Sequence, residues 1–233
     1  MSSLSNSRIR EIAKTTGQLS KSDLSGADLR DCNLSVVDFS GSDLSRANLS
    51  KVNLSGADLS GATLVGATIG SSNLVGANLT GADIRDADLS FSNLSGADLS
   101  GADLRGTNLS LANLTAANFS RANLESANLQ QCEAAAAVMT GARLERANAY
   151  GASFVAADLS DAEMSAMEMT KADLNAAKLT GARLRDCTIL SANLYAADIR
   201  GADFTGAKMS ASDFSRCRRD ETTRIDPGQA VLS

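Results

Sequence analysis

Apolar residues recur along this chain with a period of five. Take the Leu of segments such as SGADL, SGATL and RANLS as a centre. Centres then fall at Leu19, Leu24, Leu29, Leu34, Phe39 and onward to Phe214, with no insertion or deletion. Of these 40 positions Leu holds 25 and Ile, Met or Phe holds 13, while Ala134 and Ala149 depart from the rule. Two residues before the centre, Ala fills 27 of the 40 positions and most of the rest are small; Met167 is the bulky exception. The residue just before the centre is usually Asp or Asn. A five-residue period fits neither an amphipathic helix nor a plain strand. Two inward positions per repeat, one large and one small, predict a chain that turns inward every five residues. Such a coil can pair its backbone polar groups only with the coils above and below, so the pattern predicts a solenoid.

The run over residues 17–216 resembles the pentapeptide repeat family, whose motif is A-(D/N)-L-x-x. The resemblance implies an all-β solenoid: a right-handed quadrilateral β-helix with four pentapeptides per coil and about ten coils. At an inter-strand spacing of ~4.8 Å the rod would be ~48 Å long. Residues 1–16 read as an N-terminal cap. Within it SRIREIAKT (7–15) places Ile9, Ile12 and Ala13 at helical spacing, with Gly17 as terminator, which predicts a short capping helix. Residues 217–233 read as a C-terminal tail or cap.

With 20 residues per coil, positions 20 apart stack. Asn33, Asn53, Asn73, Asn93 and Asn113 then form a ladder on one face. Ser20, Ser40, Ser60, Thr80, Ser100, Ser120, Thr140, Ser160 and Thr180 form another, followed by Gly41, Gly61, Gly81 and Gly101. Stacked amides and hydroxyls are expected to hydrogen-bond between coils, and the Gly run suits a turn of positive φ. Ala134 stacks against Phe154 and Ala149 against Met169, so large beside small restores volume. Local distortion is expected around CEAAAAVMTG (132–141).

Composition narrows the chemistry. The chain has no His and no Trp, so nucleophile–His pairs, His-ligated zinc and an imidazole switch are excluded. Charged residues are 21% and no apolar run approaches a membrane span, which predicts no membrane association. MSSLSNSRIREIAKTTGQ lacks the apolar core of a secretory signal. Cys32, Cys132, Cys187 and Cys217 all fall on the small inward position. Only Cys32 and Cys132 share a face, five coils or ~24 Å apart, too far for a disulfide. All four are expected to be buried, reduced thiols, which fits a cytoplasmic, reducing compartment. Asp23, Asp43, Asp83 and Asp103 make an acidic stripe, which a filled coil gives no pocket to turn to catalysis. No catalytic, cofactor or metal site is predicted, and the chain reads as no enzyme.

Outward apolar residues carry the remaining information. Phe91 and Leu111 sit two places after their centres and stack. Tyr150 and Leu190 occupy the neighbouring outward position, and Val155 and Tyr195 the equivalent place on the next face. This broken strip is a candidate surface for a protein partner, which makes the chain a structural or protein-binding scaffold. The expected state is a monomer, or weak self-association through rod ends or the strip. A second reading comes from resemblance. The chain is similar to the quinolone-resistance pentapeptide repeat group, acidic rods that mimic DNA and bind type II topoisomerases such as DNA gyrase. The net charge of −5 fits that sign and argues against direct binding of nucleic acid. Arg85 and Arg105 interrupt the stripe, and the apolar C-terminal helix of such rods is missing.

Overall fold

The computed structural model describes residues 6–226. Parallel β-bridges join residues 20 apart in an unbroken series, from Gln18 with Asp38 to Asp198 with Arg218. Each bridge involves the residue before a centre. The chain is therefore a coil of four short walls, with each coil hydrogen-bonded to the next. We number the walls by their centres. The first face runs from Leu19 and Phe39 to Ile199, and the second from Leu24 to Phe204. The third runs from Leu29 to Met209 and the fourth from Leu34 to Phe214.

One repeat shows why the motif folds this way. The Ala97 amide donates to the Leu94 carbonyl at 3.0 Å and closes the corner. The Asp98 amide donates down to Ala77 (2.9 Å), and the Leu99 amide up to Asn118 (2.7 Å). The Gly101 amide donates up to Ser120 at 2.9 Å. The remaining donor, the Ser100 amide, bonds the Asp98 side-chain oxygen at 2.9 Å. All five amides are thus paired, as buried backbone requires. The last bond explains why Asp or Asn usually precedes the centre: its side chain closes an Asx turn that no backbone carbonyl serves.

The core is the stack of centres and small residues. Leu99, Phe119, Ala134 and Ala149 are all fully buried. The segment around 132–141 is not distorted. Asn113, Glu133 and Ser153 stay in register, as do Asn118, Val138 and Asp158. Volume is restored by Phe154 beside Ala134, and by Met167 and Met169 one coil beyond the Ala147–Ala149 wall, all fully buried. Polar residues at the small position are satisfied by a second bond to a centre carbonyl. Ser72 donates to Leu49 (2.8 Å), Ser92 to Ile69 (2.8 Å) and Thr107 to Ile84 (2.9 Å).

Helix α1 (Asn6–Thr15) precedes the first coil. Its Ile9 is fully buried in the core, and Ile12 and Ala13 pack partly against it. The Thr16 and Gly17 amides both donate to the Ile12 carbonyl, and Gly17 ends the helix at φ +64°. At the other end the coil continues past residue 216. Arg218 bridges Asp198, and Arg224 bridges Asp203 after one extra residue in the register. Ile225 packs against the core there. Val231 and Leu232, part of the predicted tail, lie outside the described residues.

Candidate interaction face

Corners decide what the rod displays. Each of the 40 positions two places after a centre, from Lys21 to Arg216, is left-handed; 25 carry a side chain and 15 are Gly. For an L-residue that conformation costs about 1–2 kcal/mol, so Gly is favoured but not required. Val36, Phe91 and Leu111 hold it at φ +55°, +59° and +59°. Their side chains point out: Val36 is 79% exposed, Phe91 62% and Leu111 44%. Several long corner side chains lie beside a Gly of the next coil, as Val36 beside Gly56, Lys21 beside Gly41 and Arg46 beside Gly66.

The sequence-derived apolar residues come together around one wall. Phe91 and Leu111 stand on the corner between the third and fourth faces. Tyr150 (37% exposed) and the half-buried Leu190 lie beside that corner. The half-buried Val155 and Tyr195 lie on the fourth face itself, towards its other corner. Lys171 sits over the Tyr150 ring at 5.5 Å and Arg216 over the Tyr195 ring at 5.6 Å. The fourth face therefore separates two strips that the sequence assigned to neighbouring faces. Exposed Val36, Val75 and Val138 extend the apolar set. The outward-position rule covers all three, and applied in full it would have found them.

The opposite wall is the reverse. On the second face Asp83 is held by Arg85 at 2.7 Å and Asp103 by Arg105 at 2.6 Å, with Arg85 also 3.8 Å from Asp103. Glu125 pairs with Arg143 and Arg146, Glu163 with Arg183, and Asp203 with Arg185. The acidic stripe is thus half neutralised, because an Arg two residues on reaches back to the carboxylate on its own wall. Those arginine hydrogen bonds hold the Asp83 and Asp103 carboxyls below the usual range. Asp23 and Asp43 instead accept from the Ser25 and Ser45 amides. Among the described residues no ion pair lies on the fourth face, and its outward wall positions carry charge only at Glu133, Asp173 and Asp213.

Two ladders behave differently. The amide of Asn53 donates to Asn33 (2.9 Å) and that of Asn73 to Asn53 (3.2 Å), between coils as expected. The hydroxyl ladder does not bond between coils where its bonds are seen. Thr80, Ser120 and Ser160 donate to Asn78, Asn118 and Asp158 in their own repeat. A hydroxyl next to the Asx oxygen reaches it more easily than a neighbour ~4.8 Å away.

The cysteines also divide. All four are free; Cys132 and Cys187 are buried, and burial pushes both thiols up to about 12. Cys32 and Cys217 are only half-buried, contrary to the expectation of four buried thiols. The reason is position. Cys32 lines an open cleft of about 360 Å³ with Arg10, Lys14 and Arg30 beside α1, and Cys217 lies in the last coil. Among the described residues no three Cys, Asp or Glu side chains converge as metal ligands. No helix there is long and apolar enough to cross a membrane.

Five-residue walls, four to a coil and stacked at a 20-residue register, define a β-helical repeat protein. The family model described as pentapeptide repeats matches eight times between residues 18 and 216, so this chain belongs to the pentapeptide repeat family. Its members form right-handed quadrilateral β-helices. Among solved structures it is similar to HetL of the cyanobacterium Nostoc sp. strain PCC 7120, a pentapeptide repeat protein involved in heterocyst differentiation regulation. Identity is 29% and the TM-score 0.67, covering 94% of this chain and 95% of HetL. A trypsin-treated form of QnrB1, a plasmid-mediated fluoroquinolone resistance protein, shares the fold at 22% identity. Its TM-score is 0.56, covering 79% of this chain and 92% of that one. No curated protein matches the sequence.

Proposed function

We propose that the chain is a non-catalytic, protein-binding scaffold that docks its partner on the fourth face. In this reading residues 1–16 cap a rod of about ten coils spanning 17–216, and 217–233 are its C-terminal tail or cap. The observation that carries the reading is the contrast between opposite walls. The second face is a solvated lattice of ion pairs. The fourth has none among the described residues and is edged by exposed Phe91, Leu111 and Tyr150. Apolar side chains with few charges are what the centre of a protein interface needs. The internal pairing of Asp83 and Asp103 favours this reading over a DNA mimic, which needs an unpaired acidic field.

The test compares Phe91→Asn/Leu111→Asn with Arg85→Ser/Arg105→Ser. Asn tolerates the left-handed corner, so the first variant should keep the native circular dichroism and melting temperature. It should lose binding partners that the second variant keeps. Equal binding by both would remove the fourth face as the functional surface. Inhibition of gyrase supercoiling by the wild type, lost in an Asp23→Asn/Asp43→Asn variant, would restore the mimic.

A further inference from the structure

The two edges of the fourth face differ in size over its middle coils. The corner leading into it carries Asp31, Lys51, Ser71, Phe91, Leu111 and Gln131, then Gly151, Lys171, Ser191 and Ala211. The corner leading out starts at Val36 and ends at Arg216, and between them it carries only Gly, from Gly56 to Gly96, and then Ala, from Ala116 to Ala196. Members of each pair, such as Phe91 and Gly96 or Leu111 and Ala116, are five residues apart. They lie within a quarter-coil of the same height. From Phe91 to Gln131 one edge is a row of knobs, and the other is a smooth, small-residue row at matching heights.

Resting on the fourth face being the docking surface, we propose that its partner is a second copy of this chain, in parallel, about a two-fold axis along the rod. That axis exchanges the two edges while keeping heights. Phe91 and Leu111 of each copy then lie over Gly96 and Ala116 of the other. An antiparallel pair would set knobs on knobs and leave the Ala rows facing a gap. A two-fold interface must be self-complementary, and the parallel arrangement is. Charges agree with it: the column of Glu133 and Asp173 meets the column of Ala135 and Asn175 across the axis, not its own carboxylates. Area suffices. The accessible surface is 10025 Å², so one of four walls offers roughly 2,500 Å² and half its length roughly 1,250 Å². A standard interface takes about 800 Å² per partner.

Sedimentation equilibrium of the full chain tests the pairing. Wild type should dimerise below about 100 µM, an affinity within reach of an interface of this size. Leu111→Lys and Ala116→Glu should each weaken it at least about tenfold, the loss expected when an unpaired charge is pressed against an apolar partner surface. Lys21 and Lys51 already occupy such corners, so folding should survive, and melting curves check it. Mixing the two variants should restore a heterodimer, because the introduced ammonium of one chain then meets the introduced carboxylate of the other. Restoration only by mixing Leu111→Lys with Leu111→Glu would overturn the parallel geometry. A wild type monomeric at about 100 µM would overturn self-pairing altogether. In that case, loss of a different bound protein in Phe91→Asn/Leu111→Asn would leave the docking face standing, and no loss would remove both.

Discussion

At the residue scale, each repeat position has one physical job. The centre fills the stack, the small residue clears the corner and the Asx residue caps an amide. Leu99 is fully buried, so Leu99→Ala should cost about 2–5 kcal/mol through lost transfer energy and a cavity. Leu99→Asp should melt the neighbouring coils, since it buries an unpaired charge. An unchanged melting temperature for the Asp variant would put the centre outside. The thiols give a second check. Cys32 should react first with a thiol reagent near pH 8. Cys217 should follow more slowly, because burial pushes its thiol to about 11. Cys132 and Cys187 should react only after denaturation; rapid native labelling of either would contradict a filled core.

At the scale of elements, the C-terminal coils depend on ions as well as packing. Asp203 carries the heaviest load: Arg185 holds it at 2.7 Å, Arg224 lies at 3.8 Å, and the Thr205 amide and hydroxyl donate to it. Burial raises its pKa, but the Thr205 and Arg185 contacts outweigh that and bring it from 3.8 to about 2. The folded value lies below the unfolded one, so its stabilisation is complete above about pH 4 and is lost as pH falls through about 2. Melting temperature should therefore drop across this window. In Asp203→Asn the drop should be smaller, with a lower melting temperature at neutral pH. An identical acid limb in the two proteins would show that Asp203 contributes nothing to it. Helix α1 is legible as an element because Ile9, Ile12 and Ala13 share a face and Gly17 ends it. The continuation to Arg224 was not legible, since its register slips by one residue and Arg219 replaces an apolar centre.

At the scale of the molecule, the rod is a chassis whose four walls are written independently. Every wall has the same buried side, so selection on outward positions can charge one and leave another bare without disturbing the core. That separation suits a scaffold. It also explains why partner choice here would turn on a few corner residues, with Phe91 and Leu111 the most exposed of the apolar set next to Val36.

The sequence by itself determined the period and the inward positions, because a strict five-residue spacing puts 38 large centres on the buried side of the wall; the 20-residue stacking register came from the resemblance to pentapeptide repeat proteins, and the bridges bear it out. The sequence also placed Phe91, Leu111 and Tyr150 outside. Only the tertiary structure decided which walls those side chains share, since a corner residue belongs to two faces and the chain order does not say which it serves. It alone showed Arg85 and Arg105 folding back onto Asp83 and Asp103, for a side chain's reach is a matter of geometry rather than order. The open setting of Cys32 was settled in the same way: the first coil has no wall beneath it, and α1 covers that end only in part.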